Sequence, residues 1–417
     1  MAQTYIKPLG EHIPGQPNSL SLNQVKQFLA VPYHIEWYHS PQSQKVFPLI
    51  LQELSDYNCT QTKVPFLIER NPYFDHTQIK YFIAYQKSKP VGRIAAFIDR
   101  NYRQDTGWIG SFESIPDQDT AFKLLDSAIS YLKQNRCRTV IGPAKFNAAG
   151  EIGLLIDGFE NKPSFMEPYH PPYYQDFFNQ YGFTKKNDWY SVSTDSILSK
   201  DYMDRITRVT ARINKSKRNH KANGYHIRNI DFSQMDREIA IISDLYNTIW
   251  NEGHHPQQVK MTDKEFKVLA MSIKEIALPD LIFIAEKDGQ PIAVSVNLPD
   301  INEVISQYDN QRLPGVSNRW FNLRDLKRDL CIFLTIKKKL KTRDFDRLRL
   351  FILGIKKEYR KNGLDSRLYF SIAQKANDAN IHHGSASQLA DINMDIINPI
   401  FKMGNVAMTW RVYKLDI

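Results

Sequence analysis

The sequence predicts an α/β protein of two domains, on three observations. Strand-like apolar stretches alternate with amphipathic helical ones along the chain, the two halves run through a similar order of elements, and 417 residues suffice for two ordinary cores. The expected boundary lies near residues 195–222, a markedly basic stretch, which gives one domain over 1–200 and a second over 201–417.

In the first half, Ile79–Tyr85 and Val91–Asp99 are apolar runs on either side of the turn QKSKP and read as a hairpin. Trp108–Phe112 is a further strand. After the turn Ile115–Asp119 comes the helical pattern TAFKLLDSAISYLKQ, with Asp119 placed as its N-cap, and then the short strand Arg138–Gly142. The second half repeats the plan. Tyr225–Ile230 reads as a strand and Arg237–Asn251 as a helix. Thr262–Ile276 reads as another helix, opened by Thr262 and Glu265 in a capping box. Leu281–Glu286 and Ile292–Asn297 flank the turn KDGQP as a second hairpin. Arg347–Ile355 is a strand, Gly363–Asn380 a helix and Ala407–Tyr413 a closing strand, with a basic and apolar insertion over Asp300–Asp346.

Composition narrows the function classes. At 42% hydrophobic and 12% aromatic the chain is globular, and no apolar run approaches the ~20 residues of a membrane helix. The polar N-terminus has no signal-peptide run. Three widely spaced cysteines, Cys59, Cys137 and Cys331, speak against a disulfide framework or a thiolate zinc site, so a cytoplasmic location is expected. His382 and His383 make no zinc pattern with other ligands, and no metal is expected. The formal charge of +10 points to anionic partners. Nucleic acid is disfavoured, because no nucleic-acid motif accompanies the basic stretches and acids such as Asp325 and Asp329 interleave with them.

The stretch LFILGIKKEYRKNGLDSRLYFSIAQKA holds the sharpest signal: a strand, a short basic turn with one glycine, and a helix. Glycine permits close approach, and free N–H groups at a helix N-terminus favour a phosphate. Arg360-Lys361-Asn362-Gly363-Leu364-Asp365 resembles the Gln/Arg-x-x-Gly-x-Gly/Ala loop of the GNAT acyltransferase superfamily. Further stretches resemble a subgroup of large, tandem GNAT-like bacterial proteins: NPYFDH at 71–76, PVGRIAA at 90–96, GLLIDGF at 153–159, PPYY at 171–174, LPDINE at 298–303 and WRVY at 410–413. The likeness runs from about residue 25 to the end.

That resemblance implies two tandem domains, each with a mixed, mostly antiparallel sheet flanked by helices. It implies a donor site in which Arg360, Lys361, Asn362, Gly363, Leu364, Asp365 and Ser366 hold the pyrophosphate of acyl-CoA and Leu353, Gly354 and Ile355 pair with its pantetheine arm. Similar proteins attach fatty acyl chains to amino groups, including lysine- or ornithine-type side chains of peptides. Two departures matter. Asp365 stands where glycine or alanine is usual: turned outward to cap its helix it has little effect, and turned to the ligand it disfavours CoA and favours acyl-carrier protein, with one phosphodiester on its phosphopantetheine, as an alternative donor able to meet the basic insertion around Lys337–Lys341. The equivalent loop of the first half, Ser114–Asp119, is acidic and lacks glycine, so donor binding is assigned to the second domain and a structural or acceptor-binding role to the first.

Transfer to an amine needs a base, a donor to the thioester oxygen and an acid for the thiolate. Asp391 and Asn393 fall where the strand after the donor helix ends; Asp391 is a candidate base, with helix capping by the pair equally open. His254, beside His255 after the helix ending in Trp250, lies where the acceptor loop is expected; a solvated loop histidine is the plainer alternative. Glu113 reads as an ordinary carboxylate at a strand end, Tyr413 as core, and Tyr169, Tyr173 and Tyr174 as a channel lining or a packed loop. The expectation is therefore an N-acyltransferase acting on an amine-bearing small molecule or peptide. The alternative is a non-catalytic module of the same fold that binds a peptide, a carrier protein or nucleic acid.

Overall fold

The computed structural model describes residues 3–59, 70–146, 150–194, 224–252, 255–311 and 323–417, together with 197, 203–204, 206–208 and 211–212. The chain folds as two compact units. One comprises 1–189, 304–333 and 408–417; the other comprises 190–303 and 334–407.

In the first unit, strands β1 (Thr4–His12), β2 (Thr77–Gln86), β3 (Lys89–Asp99), β4 (Thr106–Ser114) and β5 (Thr139–Gly142) lie in that order. The closing strand β13 (Asn405–Asp416) pairs with β5 and with β6 (Leu154–Asp157). Every neighbour in this set is antiparallel except β4 and β5, which run parallel. The hairpin, the Trp108 strand and the core reading of WRVY are all found; Trp410, Val412 and Tyr413 are buried. The strand β1 was not expected, because PLGEHIPG looks like loop punctuation; its register shifts between Pro8 and Glu11, which absorbs that irregularity. Strand β7 (Thr184–Thr194) begins in this unit, and helices α1 (Leu22–Ala30), α2 (Ile50–Tyr57), α3 (Gln118–Gln134) and α4 (Tyr174–Tyr181) accompany its sheet. The cap of α3 is a correction. Asp117, not Asp119, accepts from the Thr120 N–H at 3.1 Å, while Asp119 falls in the first turn and pairs with Lys123 four residues on.

In the second unit, β8 (Tyr225–Asn229), β9 (Ile282–Lys287), β10 (Gln290–Pro299), β11 (Arg347–Ile355) and β12 (His383–Ala390) follow one another in the sheet, with β11 and β12 parallel and the other pairs antiparallel. Helices α5 (Met235–Trp250), α6 (Asp263–Lys274), α7 (Asn302–Ile305), α8 (Leu323–Thr342), α9 (Leu364–Asp378) and α10 (Met394–Ile400) accompany them, α8 starting in the residues of the first unit and finishing in those of the second. The expected capping box of Thr262 and Glu265 opens α6. The apolar LCIFL of the insertion lies on α8, where Ile332 is buried while Leu330 and Phe333 are exposed. Each unit has its own apolar cluster, one around Leu124, Phe178 and Tyr413, the other around Leu281, Leu353 and Leu368.

Both units share one irregularity at the parallel pair. In the second, Val296 faces Ile352 and Asn297 faces Leu350, so Phe351 is an extra residue in β11. In the first, Arg93 faces Glu113 and Ala95 faces Gly110, which leaves extra backbone at Ser111, held at a φ of 49°. A bulge bends its strand and sharpens the local twist. Parallel pairing stops just at these places: β11 and β12 pair only over Arg347–Leu350 and His383–Ala386, and β4 and β5 only over Thr106–Trp108 and Thr139–Ile141.

Candidate functional site

The parting of β11 from β12 in the second unit forms the site. β11 continues to Ile355 while pairing with β10, and past Leu350 its other edge pairs with no strand among the described residues. The predicted donor strand Leu353-Gly354-Ile355 is therefore that free-edged segment. Gly354 is required by packing: a Cβ there would lie 2.4 Å from Cζ3 of Trp250. Trp250 in turn stacks on His255, ring centroids 4.8 Å apart, and on Tyr246 at 4.7 Å.

The chain leaves β11 through a turn at Lys357–Tyr359 and reaches Gly363, the N-cap of α9, at a φ of 78° in the left-handed region that favours glycine. No side chain caps this helix. The N–H groups of Lys361, Asn362, Gly363, Leu364, Asp365 and Ser366 find no acceptor among the described residues, and the first bonded amide is Arg367, to the Gly363 carbonyl at 3.2 Å. Six orphan donors on a loop running into a helix N-terminus form a cradle for an anion. The residues present fit a phosphate-bearing donor of the acyl-CoA type.

Around the cradle, Arg360 turns inward, its Nε donating to the Ile355 carbonyl at 2.9 Å and its Nη2 to the Glu252 carboxylate. Lys361 reaches Asp395 of α10 at 3.7 Å, which brings the loop beside the Asp391–Asn393 turn. Asp365 lies half-buried in the first turn of α9, its carboxylate without a hydrogen-bond or ion-pair partner among the described residues.

Asp391 and Asn393 stand together in the turn after β12, both half-buried. Asn393 occupies the N-cap position of α10, where its carbonyl accepts from Ile397 at 3.1 Å, but its side chain makes no capping bond. His254 lies outside the described residues, and its neighbour His255 is held against Trp250. Sequence reading missed Arg349. This buried arginine donates from Nη2 to the Ser387 carbonyl at 3.3 Å and lies over the Phe351 ring at 5.2 Å, a cation beside the parting of the strands. Its alternation in RLRLFILGI is its only sequence signal.

The first unit fills the equivalent place with its own groups. The Asp117 side chain accepts from one α3 amide, that of Thr120, and Glu113 is buried between Tyr38, which donates to it at 2.5 Å, Tyr174 at 3.0 Å and Arg93 at 3.7 Å. Burial and the neighbouring carboxylate hold the Tyr38 phenol well above its ordinary pKa, so it remains a donor. Tyr169 and Tyr174 are fully buried, which makes their loop a packed one. Among the described residues no group of acids, histidines and cysteines is arranged to hold a metal, and no helix is long and apolar enough to cross a membrane.

No protein-family model matches the chain. It is 29% identical to the protein YghO of Escherichia coli K12 over 305 residues, 71% of this chain and 70% of that one. It is 25% identical over 362 residues to a bacterial ceramide synthase of Caulobacter vibrioides, 85% of this chain and 84% of the relative. Among solved structures it is similar to a tandem GNAT protein from the clavulanic acid biosynthesis pathway, with a TM-score of 0.50 at 9% identity, covering 99% of this chain and 98% of that one. The chain has the tandem GNAT fold, as its sequence motifs imply.

Proposed function

We propose that this tandem GNAT-fold protein is an N-acyltransferase that moves an acyl group, a fatty one by preference, from a thioester donor to a primary amine. The observation that carries the reading is the row of six unpaired amides, Lys361–Ser366, at the head of α9 beside a strand with a free edge. Amides in that geometry stabilise a pyrophosphate with little reorganisation, and the free edge of β11 offers main-chain partners to the two amides of a pantetheine arm. Acyl-CoA is the donor we assign, with acyl-carrier protein as the alternative. Donor binding belongs to the domain over 201–417, and the domain over 1–200, whose matching helix is capped by the carboxylate of Asp117, has a structural or acceptor-binding role.

In the proposed reaction the neutral amine attacks the thioester carbonyl, the C–N bond forms, the C–S bond breaks, and the amine proton passes to a base as the thiolate leaves. Asp391 is the base we favour, and Asn393, whose side-chain amide has no partner among the described residues, is the donor we assign to the carbonyl oxygen. His254 is the alternative base. The ceramide synthase relative supports an acyl acceptor with an amino group, since a ceramide is a fatty amide of a long-chain amino alcohol.

The test is intact-mass analysis of candidate acceptors, covering a long-chain amino alcohol and lysine- and ornithine-containing peptides, after incubation with acyl-CoAs of graded length and with acyl-carrier protein. The expected result is an acyl mass gain on the amine. No gain with any donor would leave a non-catalytic binding module as the better reading.

A further inference from the structure

Below the parting of β11 and β12, on the side that α9 covers, lies a cleft of about 70 Å³ that opens to solvent. Its walls include Leu348 and Leu350 of β11, Ala386 of β12, Tyr369 and Ala373 of α9, and Met403 just after α10. That is room for several methylene-sized groups, since a single water needs roughly 10–15 Å³ of such space. Protein interiors are ordinarily packed to the density of organic crystals, so a space of this size inside the apolar cluster of the second unit needs a cause. The cause is local: alanines stand at 373 and 386, where side chains of the size of their neighbours Ile372 and Leu389 would fill the space.

Position and chemistry together select the occupant. Leu350 and Ala386 form the last pair before the strands separate, so the cleft begins where the reacting end of a donor would lie. Tyr369 and Ala373 follow the amide cradle down the same helix, roughly 7.5 and 13.5 Å from Leu364 at 1.5 Å per residue. The walls are mostly apolar, with few polar groups to orient a sugar, a nucleobase or a peptide.

We propose that this cleft receives the hydrocarbon tail of the donor's acyl group, and that Ala373 and Ala386 set the longest chain the protein accepts. The proposal rests on reading 360–366 as the donor loop. Each methylene buried against such walls favours binding by about fourfold, so the cleft converts chain length into donor preference.

The experiment uses Ala373→Leu and Ala386→Leu in the full chain, with two readouts. The first is binding of cis-parinaric acid, a fluorescent fatty acid that carries no phosphate. The second is turnover of hexadecanoyl-CoA against acetyl-CoA. Wild type is expected to bind the probe and prefer hexadecanoyl-CoA, and each variant to weaken both by about tenfold or more, with a larger loss for hexadecanoyl-CoA than for acetyl-CoA. Folded variants that bind the probe and use hexadecanoyl-CoA as wild type does would overturn the proposal. If one leucine prevents folding, the other and the cleft-widening Met403→Ala, expected to extend the accepted chain, decide it. Turnover of acyl-CoA without probe binding removes the cleft assignment alone. Probe binding that Ala373→Leu abolishes, with no turnover of any donor, keeps the cleft and removes the acyltransferase reading.

Discussion

Glu252 holds Arg360 back from solvent: the guanidinium lies between that carboxylate and the main-chain carbonyl of Ile355, and both side chains keep less than a fifth of their surface exposed. The arginine of the loop thus ties the cradle to the end of β11 and to the residues just after α5, and fixes the directions in which the amides of 361–366 point. Glu252→Gln keeps the size and removes the charge. The expected outcome is donor binding weaker by about three- to tenfold, roughly 1 kcal/mol, with acceptor KM unchanged. Calorimetry with CoA and steady-state kinetics read the two separately, and a donor Kd equal to wild type would remove the positioning role.

Gly363 stands at a φ of 78° in the left-handed region, as Lys361 does at 60°, and its amide is among the orphan donors. Gly363→Ala is expected to cost about 1 kcal/mol of stability, the usual penalty for a side chain in the left-handed region. Gly363→Asp adds a carboxylate beside the six amides and should abolish donor turnover while folding, since aspartate tolerates that region better than most residues. Denaturant unfolding and donor turnover check the pair. A folded Gly363→Asp protein with full activity moves the donor elsewhere.

Asp365 would compete with a donor bound at the same helix end. A carboxylate in the first turn gains about 0.3–1 kcal/mol from the helix dipole, and Asp365 has no partner among the described residues to share that charge. Asp365→Asn is therefore expected to lower stability by less than about 1 kcal/mol and to tighten CoA binding severalfold, an effect that shrinks as salt rises. A carrier protein with a single phosphodiester should gain less, so the ratio of the two gains reports which donor the site suits.

Much of this was legible in the sequence because it depends on local pattern. The hairpins, the strand Arg347–Ile355 and the capping box of Thr262 all follow from alternation, turn residues and spacing, and the structure places them within one to three residues of the expected bounds. The glycine loop was legible for the same reason: Arg360–Gly363 sits between a strand and a helix in sequence as in space. What escaped reading depends on partners distant in sequence. Nothing near Arg360 announces that Glu252, 108 residues earlier, takes up its charge. Nothing near Glu113 announces that Tyr38 and Tyr174 enclose it, so a residue that reads as an ordinary strand-end acid is the centre of a buried polar cluster. The bulge at Phe351 that accompanies the parting of the strands appears only in the register of β10 and β11.

The Glu113 cluster yields a stability prediction. With its side chain 5% exposed and Arg93 at 6%, the pair is cut off from solvent, and removing one charge leaves the other buried without compensation. Glu113→Gln is expected to destabilise by roughly 3–5 kcal/mol, against about 1–2 kcal/mol for Tyr38→Phe, which removes one hydrogen bond and leaves the charges paired. Chemical denaturation measures both. A near-neutral Glu113→Gln would mean that Arg93 finds other compensation.

His170 gives the first unit an acid-sensitive point. Its Nδ1 accepts the Leu155 N–H at 3.2 Å, which requires that nitrogen to be unprotonated. Burial, with the Lys45 cation nearby, pushes its pKa down from 6.5 to about 3. Because the folded value is the lower one, the unfolded chain takes up the proton first as pH falls. The contribution of His170 is therefore complete above about 6.5 and drains away toward 3, by up to about 1.4 kcal/mol per pH unit. The ring keeps part of its surface exposed, so the measured slope should fall short of that limit. His170→Asn can still accept from Leu155 but does not titrate, so its unfolding free energy should fall less steeply between pH 6.5 and 4 than that of wild type. Parallel slopes for the two proteins over that range would show that His170 is protonated as readily in the folded chain as in the unfolded one.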